Sequence, residues 1–197
     1  MAISATDVKK LRDMTGAGMM ECKKALTESN GDFDKAIDYL RTKGMQKVEK
    51  KAGRSTEQGL IQSYIHPGSR LGVLVEINCE TDFVARTDDF QTFAKDVAMQ
   101  IAAARPIAVS REEVDAQVVE HELEIYRAQA REQGKPEQVI ERMIAGKLEK
   151  FYQDTCLLEQ AFVKDSDKTI SDYLKETIGR LGENMVIKRF VRFELGE

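Results

Sequence analysis

Apolar residues recur every three or four positions through the first fifty residues, switch to every second position before Ile77, and then return to helical spacing. In the first stretch Val8 and Leu11 stand at i and i+3, and Cys22, Ala25 and Leu26 at i, i+3 and i+4. Phe33, Ala36, Ile37 and Leu40 repeat the pattern. Each set supplies one face to bury, and the turn signals Thr15-Gly16-Ala17-Gly18 and Asn30-Gly31-Asp32 separate the sets, so the spacing predicts three short helices. From Lys43 to Arg54 the periodicity fades into lysines and glycines, as at a helix end running into a linker. The expected boundary lies there, with a three-helix domain over 1–54 and a core domain over 55–197.

Leu71, Val73, Val75 and Ile77 alternate with Gly72, Leu74, Glu76 and Asn78, and His66-Pro67-Gly68-Ser69 separates them from Leu60 to Ile65. This pattern predicts a β-hairpin, and the Val-, Ile- and Phe-rich stretch from Met185 to Leu195 predicts a third strand. Helical spacing returns at Phe90, Phe93, Ala94, Val97, Ala98 and Ile101, ended by Arg105-Pro106. Ser110-Arg111-Glu112-Glu113 has the form of a capping box opening another helix, broken at Gly134-Lys135-Pro136, and a further helical stretch is expected to about Phe162. Thr169-Ile170-Ser171-Asp172 reads as one more helix start, leading to Leu174, Ile178 and Leu181. The expected fold class is α+β: three helices, then a core in which a small antiparallel three-stranded sheet packs with helices.

At 197 residues the chain is long enough for one main core with an appendage. Its 42% hydrophobic and 32% charged residues are those of a folded protein. The net charge of -4, with both signs mixed along the chain, gives no electrostatic reason to bind nucleic acid directly. Cys22, Cys79 and Cys156 are odd in number and far apart, which suits a reducing compartment. No basic stretch leads into an apolar run at the start and no apolar window reaches membrane-spanning length, so the expected setting is cytoplasmic, without a membrane partner.

The two histidines, His66 and His121, have no neighbours at metal-ligand spacing, so neither a metal nor another cofactor is expected. A Cys79–His66 nucleophile pair and an acid cluster of Glu76, Glu80 and Asp82 are the available enzymatic readings; a buried thiol and solvated strand-end acids are the ordinary ones. Thr15-Gly16-Ala17-Gly18 lacks both the Gly-Lys-Ser/Thr ending of a phosphate loop and a preceding strand, which leaves a tight turn between helices. Met19 and Met20 are adjacent at a helix start and cannot both face one core, so partner contact and simple packing both stay open. After the best strand comes Asn78-Cys79-Glu80-Thr81-Asp82-Phe83-Val84-Ala85, with a phenylalanine where turns carry polar groups. Phe83 either folds back over the hairpin, with Thr81 or Asp82 capping a short helical turn, or it stands out to meet a partner.

The segment from Val8 through Met14-Thr15-Gly16-Ala17-Gly18-Met19-Met20 to Leu26 resembles the amino-terminal signature of the bacterial translation elongation factor Ts family, and Asn78 to Ala85 resembles its second signature. Phe162-Val163-Lys164-Asp165 and Arg189 to Gly196 resemble later blocks, so the likeness spans essentially the whole chain. It implies a ubiquitin-associated-like first domain and a nucleotide exchange factor for the GTPase elongation factor Tu, in its GDP-bound and nucleotide-free forms, with no chemical step of its own. By motif, Asp82 and Phe83, flanked by Thr81 and Val84, are the residues that intrude into the GTPase domain, and Val8, Leu11, Arg12, Met19 and Met20 are docking contacts. Longer relatives carry two related core subdomains and a coiled-coil excursion, whereas short members resemble half of that, which implies a homodimer paired through the core sheet. Ala161 stands where many relatives have proline. A general protein-binding adaptor is one competing reading, which accounts for residues 1–54 but leaves Asp82-Phe83 without a task; a small enzyme using Cys79 or the acids near it is the other, against which stand the scarcity of histidine, two in the chain, and the missing phosphate loop.

Overall fold

The computed structural model of the chain describes residues 3–132 and 136–196. Three helices open it: α1 (Ala5–Thr15), α2 (Met19–Glu28) and α3 (Phe33–Glu49). The start of α1 is a reciprocal cap, with the Asp7 N–H donating to Ser4 Oγ at 3.1 Å and the Asp7 carboxylate accepting from Ser4. Its end is set by Gly16, whose φ of 67° lies in the left-handed region and aims its N–H at the Arg12 carbonyl, 2.7 Å away. Val8, Leu11, Cys22, Ala25, Leu26 and Ala36 form the core of this bundle, with Phe33, Ile37 and Leu40 packed against it. The three-helix expectation holds at all three positions.

The hairpin consists of β1 (Gln58–Ile65) and β2 (Leu71–Cys79), joined by a turn in which Gly68 and Ser69 take positive φ and the His66 N–H donates to the Leu71 carbonyl. The last strand of the chain, Met185–Glu194, lies on the other side of β2, so the antiparallel sheet has β2 at its centre. Central placement explains the β2 pattern, in which Val73, Val75, Ile77 and Cys79 are buried on one face. After β2 come a single-turn helix α4 (Asp82–Ala85) and the long α5 (Asp88–Ala104), which ends at Arg105, φ 48°, before Pro106.

Next, α6 (Ala116–Glu132) and α7 (Glu137–Thr155) pair with each other, burying Ala130, Ile140 and Ile144 beside Leu123 and Tyr126. Pro136 precedes α7 as expected of a breaker, while Gly134 and Lys135 lie outside the described residues. Two expectations fail in this region. Ser110 opens only a 3-10 turn over Arg111–Glu113 and caps no backbone N–H; the Glu113 carboxylate instead accepts from the Val109 N–H at 3.2 Å, and α6 starts only at Ala116, past the motif. The helical stretch expected to reach Phe162 stops at Thr155, followed by a 3-10 turn and a two-stranded hairpin of β3 (Ala161–Phe162) and β4 (Asp165–Thr169). Ala161 therefore stands in a strand, not at a helix end. The chain closes with α8 (Ile170–Leu181) and β5, the Met185–Glu194 strand. The start of α8 is the expected cap: the Asp172 N–H donates to Thr169 Oγ1, whose own N–H donates to the Asp172 carboxylate.

The chain divides into two compact units. The first gathers the residues up to Gly59, Asn78–Gln91 and Leu174–Val186; the second gathers Leu60–Ile77, Thr92–Tyr173 and the residues from Ile187 on. In the second, the fully buried Gln100 anchors the β3 end: its amide donates to the Ala161 carbonyl at 3.1 Å and its carbonyl accepts from the Val163 N–H at 2.9 Å. Phe162 stacks on Tyr173, whose hydroxyl donates to Asp96. No helix among the described residues is long and apolar enough to cross a membrane.

Candidate functional site

Strand β2 ends in the first unit at Cys79, whose thiol donates to the Thr81 carbonyl at 3.1 Å. Thr81 is extended and is the N-cap of α4, accepting the Val84 N–H on Oγ1 at 3.4 Å. At the far end of the turn the Arg86 guanidinium returns to Asp82 at 2.8 Å, and Thr87 donates to the Val84 carbonyl while accepting the Phe90 N–H. Ala85 faces inward and is buried, whereas Phe83 is 77% exposed. Of the two sequence readings of Phe83, the one in which it folds back over the hairpin is therefore excluded. Thr81 supplies the cap, as that reading also allowed.

Two links without any local sequence signal anchor this turn. The Glu183 carboxylate accepts both the Thr81 N–H, at 2.9 Å, and the Thr81 hydroxyl, at 2.7 Å. Glu80 in turn accepts the Asn184 N–H at 2.6 Å. Partners 102 residues apart carry no local motif, so only the fold reveals them.

The residues marked for docking fall into two groups. Val8 and Leu11 are buried in the three-helix core, and Leu11 is fully so. Arg12, Met19 and Met20 are exposed, Met20 at 76%. Thus both methionines at the start of α2 face outward. Met14, which spacing did not single out, is also exposed, at 58%, near the end of α1.

The chemistry needed for a catalytic reading is not favoured by the surroundings. Burial, and then the nearby Glu183 carboxylate, push the Cys79 thiol up to about 11, opposite to what activates a nucleophile. Glu76 pairs with Arg189, Glu80 holds the Asn184 N–H and Asp82 pairs with Arg86, so the three acids serve separate partners. Among the described residues, no three or more His, Cys, Asp or Glu side chains gather where they could hold a metal ion. With the folded value raised from 9.0, stability is unaffected by this thiol below pH 9 and falls as pH rises from 9 toward 11, because the unfolded chain ionises first. Buried and with its thiol pushed up, Cys79 is expected to be labelled by a thiol-reactive maleimide at about pH 8 only once the chain is denatured, as followed by mass spectrometry.

The family model for elongation factor TS matches residues 3–197. The chain belongs to the elongation factor Ts family. It is 62% identical over 197 residues to an elongation factor Ts of Geobacter metallireducens, covering all of this chain and 91% of that protein. It is 61% identical, with the same coverage, to that of Geotalea daltonii, and 58% identical over 195 residues to that of Moorella thermoacetica, covering 96% of the latter. Membership in the elongation factor Ts family supports, in general terms, a nucleotide exchange factor for elongation factor Tu that acts by binding and not by a chemical step. The exposed tip at Phe83 and the exposed methionines of α2 both fall in blocks that carried the likeness.

Proposed function

We propose that the chain promotes GDP release from elongation factor Tu by inserting the Asp82-Phe83 tip between two helices of the GTPase domain, displacing the segments that hold Mg²⁺ and the phosphates. The observation that carries this reading is the outward Phe83 on a turn whose backbone is tied down at Thr81. Thr81 and Val84 frame the tip. Residues 1–54 act as the docking domain and 55–197 as the core; Arg12, Met19 and Met20 touch the GTPase, while Val8 and Leu11 support them from inside the bundle. Burying one phenylalanine is worth roughly 1.5 to 3 kcal/mol, and a tenfold loss of nucleotide affinity needs about 1.4 kcal/mol of coupling. Coupling is reciprocal, so GDP loosens the exchange factor as much as the factor loosens GDP. The wedge therefore needs the docking surface to hold it in place. Removing the Mg²⁺ counter-charge loosens the diphosphate without any contact to the base. The partner sets the place of action as the cytoplasm, with no direct contact to nucleic acid or membrane. Adding the intact chain to elongation factor Tu loaded with fluorescent GDP is expected to accelerate release; no acceleration overturns the proposal.

The same reading makes the chain a homodimer paired through the core sheet. Ile61 and Ile65 of β1, Leu74 of β2, and Val191 and Phe193 of β5 are exposed on their strands, alternating with the inward positions. Exposed apolar residues on all three strands are the material of an interaction surface, and an isologous pair covers both copies at once. Light scattering at micromolar concentration is expected to give twice the 22.3 kDa chain mass. Phe193→Glu is expected to shift it to one copy, and a strict monomer for the unaltered chain contradicts the pairing.

A further inference from the structure

The Thr81–Val84 turn is too short to hold its own shape, since a single helical turn fixes several dihedrals for very few hydrogen bonds. Phe83 itself, being exposed, adds little to that hold. Beyond its own cap and the Asp82–Arg86 pair, what ties the turn down comes from the link between α8 and β5. Gly182, at φ 82°, closes α8 with its N–H on the Ile178 carbonyl, and the next residue, Glu183, takes both donors of Thr81 on its two carboxylate oxygens at 2.9 and 2.7 Å. Asn184 then gives its N–H to Glu80 at 2.6 Å and its side-chain amide to the Arg54 carbonyl at 3.0 Å. Each of the two segments thus lends one carboxylate to a backbone N–H of the other, and charge-assisted hydrogen bonds of this kind are the stronger sort.

Resting on the exchange reading, we infer that Glu183 is the positioning residue of the wedge: it touches no nucleotide and holds Thr81 so that Phe83 is presented in the conformation that inserts. An anchored tip has little ordering left to do on insertion, whereas a loosened one must be ordered against the GTPase each time. Because encounter runs through the docking domain, the loss falls on the step after encounter.

The test is fluorescent GDP release from elongation factor Tu across a range of chain concentrations, for the intact chain, Glu183→Ala, Glu183→Gln and Phe83→Ala, with thermal melting of each. Glu183→Ala is expected to lower the plateau rate about tenfold, with the half-saturating concentration moved less than about twofold. Glu183→Gln keeps an acceptor for the Thr81 N–H and a donor for its hydroxyl, and is expected to stay within about threefold of the intact chain. A general folding defect would instead lower the active concentration, raising the half-saturating value with the plateau intact, and that result overturns the positioning role. An unchanged plateau for Glu183→Ala, while Phe83→Ala loses activity, overturns this inference alone. Failure of the intact chain to accelerate release overturns the exchange reading and this inference with it.

Discussion

Phe83→Ala is expected to cut the acceleration of GDP release from elongation factor Tu by about ten- to a hundredfold, while leaving the melting temperature of the chain unchanged. The two halves of this expectation come from one number. At 77% exposure the phenyl ring contributes little to folding, so its removal leaves the folded chain intact. On insertion the same ring leaves water, and the roughly 1.5 to 3 kcal/mol of burial then lost converts to that range of rates. Stopped-flow release kinetics and a calorimetric melt on the same preparation check both. A variant that melts early would mean that Phe83 is structural, and the wedge would lose its support.

Leu11→Ala is expected to have the second large effect, in the opposite sense. Leu11 is fully buried among Val8, Cys22, Ala25, Leu26 and Ala36, so truncating it leaves a cavity in a bundle with few other core residues. Large-to-small changes at such sites cost about 2 to 5 kcal/mol, a large share of the roughly 5 to 15 kcal/mol that holds a domain folded. Met20→Ala, at 76% exposure, is expected to leave stability within about 0.5 kcal/mol and to weaken only the interaction with the GTPase. Urea unfolding followed by helical circular dichroism separates the two. Equal stability of the two variants would contradict the assignment of Leu11 to the core and Met20 to the surface.

The elements that were legible in the sequence are those whose residues carry their own instructions. Val73, Val75 and Ile77 alternate because β2 is central and one of its faces is buried, and the Thr169–Asp172 reciprocal cap announces α8 locally. The errors lie where local signals coincide with a different tertiary arrangement. Leu157, Leu158 and Phe162 continue a helix-like apolar spacing beyond Thr155, yet Leu157 and Leu158 donate their N–H groups to the Ala108 and Val109 carbonyls and not to carbonyls one α-helical turn back. The short strand Asp165–Thr169 is polar and mostly exposed, so it shows no alternation to detect. At Ser110 the capping-box pattern was present, but Arg111 is drawn to Glu149 and Glu159, and Glu113 to the Val109 N–H.

At the site itself the same division holds. An oddly placed Phe83 beside Asp82 was visible from residue types alone, but chemistry left open whether it faced in or out, and only its exposure decides. Val8 and Leu11 sit in the block that carried the likeness, yet helical spacing had already marked them as an inward face, and the bundle places them there. Glu183 left no trace, since a glutamate after a glycine at a helix end is an ordinary surface residue until the fold brings Thr81 to it.

The most direct test of the wedge is the release of fluorescent GDP from elongation factor Tu as intact chain is titrated in, with excess unlabelled GDP and saturating Mg²⁺. The expected result is a release rate that climbs with chain concentration to a plateau well above the spontaneous rate. Release that stays at the spontaneous rate across the whole titration would contradict it.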